Sequence, residues 1–245
     1  EMLRSLVGSE MCIRDSFDDA NVPPWAMKVV LDEDEFTGPS AKAASALAEA
    51  LNDEDDPYRD LRYQGQALPP IKSYDTTGNV VDLGSFSKLV SPGLRVGYLL
   101  AHEELLRKCT IGKQGTDLHT PNLNQAIIDQ FLRRDLLDSH VQSIIPGYRE
   151  KLELMLEELS SFPEGTRYTA PEGGLFIFVE MPEGFDATAL FGEAVERGVA
   201  YVPGTHFYPD GGHHNTLRLN FSNSTPQQIH EGMGKLRELF AAHLG

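Results

Sequence analysis

Two short apolar runs, separated by a polar turn rich in glycine and serine, mark the most informative stretch of the chain. Val80, Val81 and Leu83 form a β-branched run that gives way to Gly84-Ser85-Phe86-Ser87-Lys88, the pattern of a strand that delivers side chains at its C-terminal end. Arg95 to Ala101 predicts the next buried strand, and Glu103 to Lys108 the start of a short helix. From Pro121 to Val141 the residues Ile127, Ile128, Phe131, Leu132 and Leu136 recur at helical spacing. Ile145, Tyr148, Leu152, Met155, Leu156 and Leu159 do the same in a further helix from about Ile144 to Leu159.

Beyond that helix the pattern alternates. It predicts strands over Gly174 to Glu180, Val199 to Val202 and Thr216 to Phe221, a helix over Ala187 to Arg197, and a closing helix over Gln227 to Leu244, the element mix of a small α+β domain. In Leu217-Arg218-Leu219-Asn220-Phe221 a period of two puts the apolar residues on one face and Arg218 on the other. Upstream, Ala43, Ala44, Leu47, Ala48 and Leu51 predict a helix over Ala41 to Leu51. Residues 17 to 40 carry only the short apolar patch Trp25 to Leu31 and predict no element. Residues 1 to 16 sustain neither period, resemble a translated adapter sequence, and are set aside as a non-native tail.

Composition narrows the picture further. At 245 residues and 40% hydrophobic content the chain can bury a sizeable core. Its 21 basic and 37 acidic residues give a formal charge of −16, which offers no electrostatic footprint for nucleic acid or an anionic membrane. Cys12 and Cys109 make neither a disulfide framework nor a metal-ligand pair, and no run approaches the length of a membrane span. A cytoplasmic protein is the expectation.

The chemistry concentrates after the first run. Ser85, Ser87, Lys88 and Arg95 bring two hydroxyls, an amine and a guanidinium within eleven residues, with Gly84, Pro92, Gly93 and Gly97 letting the backbone approach something bulky and anionic. A phosphate suits that set. A lysine beside its own phosphate-binding groups points to an amine that captures the aldehyde of a phosphorylated cofactor.

The stretch Ser85-Phe86-Ser87-Lys88-Leu89-Val90-Ser91-Pro92-Gly93-Leu94-Arg95-Val96-Gly97 resembles the cofactor-lysine signature of class I/II pyridoxal-phosphate aminotransferases. The similarity is to the branch that includes 2-aminoadipate and aromatic aminotransferases. It continues through Asp55-Asp56-Pro57-Tyr58, Pro171-Glu172-Gly173-Gly174, Val202-Pro203-Gly204 and Arg218-Leu219-Asn220-Phe221, covering about residues 54 to 244 in family order. It implies an α/β fold: part of a fold-type-I large domain, with a mixed, mostly parallel sheet and helices, followed by a small α+β C-terminal domain. The implied division is residues 17–145 for the large-domain part and 146–245 for the small domain.

By the same resemblance, Lys88 is the catalytic residue and tethers pyridoxal 5′-phosphate. Ser85, Ser87 and Arg95 hold the phosphate, Asp55 faces the pyridine nitrogen, the Tyr58 phenol meets the ring 3-oxygen, and Arg218 grips the substrate carboxylate with its planar fork. The substrates implied are an L-amino acid and a 2-oxo acid, 2-oxoglutarate on family grounds, with a homodimer as the working form. Without the resemblance, Asp55 to Tyr58 would read as a solvated acidic junction and Arg218 as half of a surface ion pair.

The chain also departs from the family. Asn52-Asp53-Glu54 runs straight into Asp55, so the apolar strand expected before the acidic-Pro-Tyr motif is predicted to be missing. Only Thr37-Gly38 remains of the family's Asn-Pro-Thr-Gly motif. The helix that binds the cofactor phosphate and the aromatic residue that stacks on its ring have no counterpart, which implies an N-terminally truncated chain that is inactive alone. Three other readings compete. Ser85-Phe86-Ser87-Lys88 matches the Ser-x-x-Lys of penicillin-binding hydrolases but lacks a Lys-Thr-Gly partner. His206, His213 and His214 have no zinc-ligand spacing. An effector module of a transcriptional regulator is the stronger alternative to an enzyme.

Overall fold

The structure, a computed structural model, describes residues 53–244 apart from Asp210. The tail assigned to residues 1–16, the stretch from 17 to 40 and the helix predicted over Ala41 to Leu51 lie outside the described residues. The chain divides into two compact units, one comprising residues up to Asp60 and Gln66–Ser143, the other Leu61–Gly65 and Ile144–Gly245.

The first unit is built on a three-stranded sheet, β1 (Asp53–Asp55), β2 (Val81–Ser85) and β3 (Gly97–Leu100), in that order. β1 runs parallel to β2 and β3 antiparallel to it, so the sheet is mixed. The strand predicted to be missing is therefore present in its last three residues: pairing of the backbone with β2 outweighs an acidic sequence of low strand propensity. β2 and β3 meet closely where Gly84 faces Tyr98 and Ser85 faces Gly97. A Cβ on Gly84 would fall inside the Tyr98 ring, and one on Gly97 would lie 2.8 Å from the Gly84 carbonyl oxygen. Both positions thus require glycine for space.

Helix α1 (Glu103–Thr116) extends well past the six residues its sequence pattern suggests. α2 (Asn122–Arg133) ends where Asp135 adopts a left-handed φ of 54° and Leu136 N–H returns to the Phe131 carbonyl, a closure typical of helix C-termini. α3 then runs unbroken over Leu137–Leu159. The predicted break between Val141 and Ile144 is corrected: the left-handed turn at Asp135 is the true boundary, and Pro146 sits inside α3, giving up one helical N–H.

The second unit has a four-stranded antiparallel sheet ordered β4 (Arg167–Tyr168), β5 (Phe176–Glu180), β7 (Thr216–Asn220), β6 (Val202–Pro203). Its core joins Ile177, Val179, Leu217 and Leu219 of the sheet to Leu152, Met155 and Leu159 of α3 and to Ile229, Met233, Leu236, Leu239 and Phe240 of α5 (Pro226–Ala242). Each large side chain so buried contributes roughly 1.5–3 kcal/mol. A capping box between Thr225 and Gln228, with Pro226 in the first turn, starts α5. Two predicted elements are shorter than their patterns. α4 covers only Phe191–Glu196, because Ala187 N–H bonds the His214 carbonyl and Asp186 binds Ala189 N–H, so the preceding residues form a turn. β6 is shifted as well as short, covering Val202–Pro203 and sharing only Val202 with the strand predicted over Val199 to Val202. Leu61–Gly65 joins this unit through backbone bonds from Tyr63 and Gln64 to Glu172 and from Gly174 to Leu61. A Cβ on Gly173 would stand 2.5 Å from the Leu61 carbonyl oxygen, so part of the Pro-Glu-Gly-Gly motif serves this backbone approach.

Entry into β2 is governed by Asp75. Its carboxylate, with no side-chain exposure, accepts N–H bonds from Thr77, Gly78, Asn79 and Val80 at 2.8–3.2 Å and pairs with Lys72 Nζ at 2.8 Å. Burial opposes the charge, but the hydrogen bonds outweigh it and hold the carboxyl well below the usual carboxylate range. Stability from Asp75 is therefore fully present above its unfolded-state value and is lost as pH falls through the depressed folded-state value. Asp75→Asn should cost about 2–3 kcal/mol in denaturant unfolding at neutral pH, and that deficit should shrink toward strongly acidic pH.

Candidate active site

The site residues of the first unit lie at the C-terminal ends of β1 and β2, where open α/β sheets bind ligands. Ser85 closes β2, and its hydroxyl accepts Ser87 N–H at 3.1 Å. The loop is pinned at two places: Phe86 is buried with its ring 5.9 Å from that of Tyr98, and Leu89 is buried as well. Phe86 N–H bonds the Val96 carbonyl, and Val90 and Ser91 N–H both return to the Phe86 carbonyl. Ser87 and Lys88 are thereby carried between fixed points.

Arg95 follows the 3-10 turn Pro92–Leu94 with a left-handed φ of 52°, a conformation that a non-glycine residue adopts at some cost. From there its guanidinium reaches the Ser87 hydroxyl at 3.5 Å and the Pro92 carbonyl at 3.3 Å. Asn124 Nδ2 donates to the Leu94 carbonyl at 2.8 Å and fixes the same turn. Two hydroxyls and a guanidinium with donors to spare could hold an anion.

Lys88 is half-buried, and its Nζ lies 6.0 Å from the centroid of the Tyr58 ring. Among the described residues this amine has no hydrogen-bond or ion-pair partner. Asp55, the last residue of β1, is exposed and stands opposite Leu83 of β2. The first unit thus brings Asp55, Tyr58, Ser85, Ser87, Lys88 and Arg95 onto neighbouring strand ends and turns. These groups could hold a phosphorylated aldehyde: an amine without a hydrogen-bond or ion-pair partner among the described residues, two hydroxyls beside a guanidinium, and an exposed carboxylate.

Arg218 belongs to the second unit, on the face of β7 opposite Leu217 and Leu219. Phe176 and Phe178 of β5 lie on the same face as Arg218, since Phe178 is its partner in register. The guanidinium carbon sits 4.0 Å from the Phe176 ring centroid and 4.6 Å from that of Phe207. Nε is buried without a hydrogen-bond partner, and no carboxylate pairs with Arg218 among the described residues. A planar guanidinium without a carboxylate partner among the described residues could take a carboxylate in a two-bond fork. Phe207 comes from the 3-10 turn Gly204–Phe207, which approaches β7 so closely that a Cβ on Gly204 would overlap the Thr216 side chain.

Sequence reasoning missed two features. One is the pair of phenylalanines around Arg218, of which Phe176 could have been found from strand alternation. The other is an ion network in which Arg59 contacts Glu54, Asp56 and Asp82. Its signal was Asp82, a lone acid inside an apolar strand. The histidines His206, His213 and His214 are exposed, and among the described residues no group of His, Cys, Asp or Glu is placed to hold a metal.

The sequence matches the family described as aminotransferase class I and II over residues 54–236. It is 42% identical over 187 residues to a 2-aminoadipate transaminase of Thermus thermophilus, covering 75% of this chain and 47% of that protein. It is 41% identical over 186 residues to an aromatic-amino-acid aminotransferase of Thermococcus litoralis, covering 76% of this chain and 45% of the relative. The crystal structure of the α-aminoadipate aminotransferase of Thermus thermophilus, complexed with N-(5′-phosphopyridoxyl)-L-leucine, superposes with a TM-score of 0.78 at 38% identity. That match covers 84% of this chain and 55% of the other. The chain spans about half the length of the curated relatives it matches.

The unpaired state of Arg218 makes a prediction about stability. Arg218→Met removes a buried, unsatisfied Nε and loses two cation–π contacts, effects of opposite sign and of about 1–2 kcal/mol each. The thermal midpoint should stay within a few degrees of wild type. A loss above about 3 kcal/mol would show the arginine to be structural.

Proposed function

Since the chain belongs to the class I and II aminotransferases, we propose that it carries the cofactor-lysine portion of a pyridoxal-phosphate-dependent enzyme that moves an amino group between an L-amino acid and a 2-oxo acid. The observation that carries this reading is Lys88 Nζ, unpartnered among the described residues and on the same pinned loop as the Ser85, Ser87 and Arg95 cradle. When bound, pyridoxal 5′-phosphate supplies the electron sink for loss of the substrate α-proton. The chain's own residues do the rest. Ser85, Ser87 and Arg95 would hold the phosphate, and the Lys88 ε-amine would tether the cofactor at its aldehyde group and, when free, would hold the proton taken from the substrate α-carbon.

Asp55 supplies a negative charge that favours a protonated ring nitrogen, and Tyr58 offers its phenol to the ring oxygen. Arg218 takes the substrate carboxylate in a two-bond fork, its plane already set by Phe176 and Phe207. The 2-aminoadipate and aromatic relatives support a large or acidic amino donor, and 2-oxoglutarate is proposed as the acceptor on family grounds. A homodimer as the working form is part of the same proposal, on family grounds.

The test combines absorbance and turnover. The full protein mixed with pyridoxal 5′-phosphate should develop a visible absorbance and transfer the amino group of 2-aminoadipate or an aromatic amino acid to 2-oxoglutarate. Lys88→Ala should abolish both together, and survival of either in that variant overturns the assignment.

A further inference from the structure

Arg59 belongs to none of the motifs, yet it contacts three carboxylates. The parallel register of β1 and β2 sets Glu54 opposite Asp82 and Asp55 opposite Leu83. Register partners share a face, so two carboxylates meet on one side of the sheet, where like charges across a strand pair repel. Arg59 relieves that repulsion. Its Nη2 lies 2.9 Å from Asp82 Oδ1 and 3.5 Å from Glu54 Oε1, while Nε lies 3.5 Å from Asp56 Oδ2.

The Asp82 and Glu54 side chains are only 4% and 11% exposed, so this is a desolvated triad and not a surface ion pair. Burial pushes the Asp82 carboxyl up, against the pull of Arg59 and with the repulsion of Glu54. Glu54 is tied down a second time, accepting Ile71 N–H and Lys72 N–H at 2.8 Å each. The next residue along is Asp55, on the opposite face together with Leu83 and, two residues further on β2, Ser85. Its exposed carboxylate has no hydrogen-bond partner among the described residues, so its place depends on where the end of β1 is held.

We propose that Arg59 is a positioning residue for Asp55: by bridging Glu54 and Asp82 on one face of the sheet, it fixes the end of β1 so that the Asp55 carboxylate stands correctly on the other. The inference rests on the functional reading above, in which Asp55 meets the cofactor ring nitrogen. Arg59 touches neither cofactor nor substrate and acts through the backbone of β1.

A thermodynamic cycle tests it. Pyridoxal 5′-phosphate is titrated, by absorbance, into the full wild-type protein and into Arg59→Met, Asp55→Asn and the double variant. Arg59→Met should weaken binding about tenfold, the scale on which supporting residues act on the ligands they orient. In the Asp55→Asn background the same change should cost less than about twofold, because nothing is left to position. The pH at which the visible band titrates should likewise move in Arg59→Met but not further in the double variant. Equal losses in the two backgrounds, or wild-type affinity in Arg59→Met, overturn the proposal. If Arg59→Met does not fold, Arg59→Lys replaces it in the same cycle, keeping the charge but not the fork. A wild-type protein with no Lys88-dependent absorbance overturns the functional reading and this inference with it. A normal wild-type absorbance with additive losses overturns this inference alone.

Discussion

The first unit depends on β2 being hydrogen-bonded on both sides at once. One flank accepts β1 in parallel and the other accepts β3 in antiparallel, and the second pairing is possible only because Gly84 and Gly97 leave room for the Tyr98 ring and a backbone carbonyl. A strand held on both edges cannot slide by one residue without turning its whole set of side chains to the wrong face. Ser85 therefore ends the strand in a fixed orientation, and the loop that carries Lys88 starts from a rigid point. Asp75 sets the other end of the same strand by gathering the backbone N–H groups that precede it.

Each unit keeps polar groups under-satisfied among the described residues. Lys88 has no partner among the described residues, Arg95 occupies a left-handed backbone conformation, and Arg218 keeps a buried Nε without an acceptor. Each is a small cost that a packed core can bear. Phe86 and Leu89 anchor the lysine loop on either side, and Phe176 and Phe207 hold the guanidinium between their rings. In each case apolar packing does the orienting, and the side chain's hydrogen-bonding capacity is left over. The cluster around Arg59 follows the opposite rule, with the buried carboxylates of Glu54 and Asp82 both partnered by one guanidinium.

Several family motifs turn out to carry structure as well as chemistry. Gly173 and Gly174 permit the backbone of Leu61 to Gln64 to bond alongside them, and Gly204 lets its turn press against Thr216. Tyr63, whose phenol burial pushes upward in pKa, donates its hydroxyl to the Gly174 carbonyl and closes the same contact. Spacing along the chain could not separate these roles from those of Lys88 or Arg218, because a glycine kept for close packing and one kept for ligand approach look alike in sequence.

The sequence by itself determined which residue types stand together as candidate chemistry and which strand faces are buried. Alternation placed Arg218 away from Leu217 and Leu219, and the hydroxyl, amine and guanidinium spacing after Val81 pointed to a phosphate and an aldehyde. Such features are local, governed by side-chain type and by periods of two or 3.6 residues. The tertiary structure alone decided the rest. It made a strand of Asp53–Asp55, which has no strand propensity, because β2 offered a hydrogen-bonding edge. It moved the helix boundary to Asp135, where a backbone torsion and not a hydrophobic gap ends α2, and it let α3 run through Pro146. It joined Arg59 to Asp82, 23 residues away, through the register of two parallel strands. Pairing across that separation depends on where two backbones meet, and no period along a single chain encodes it.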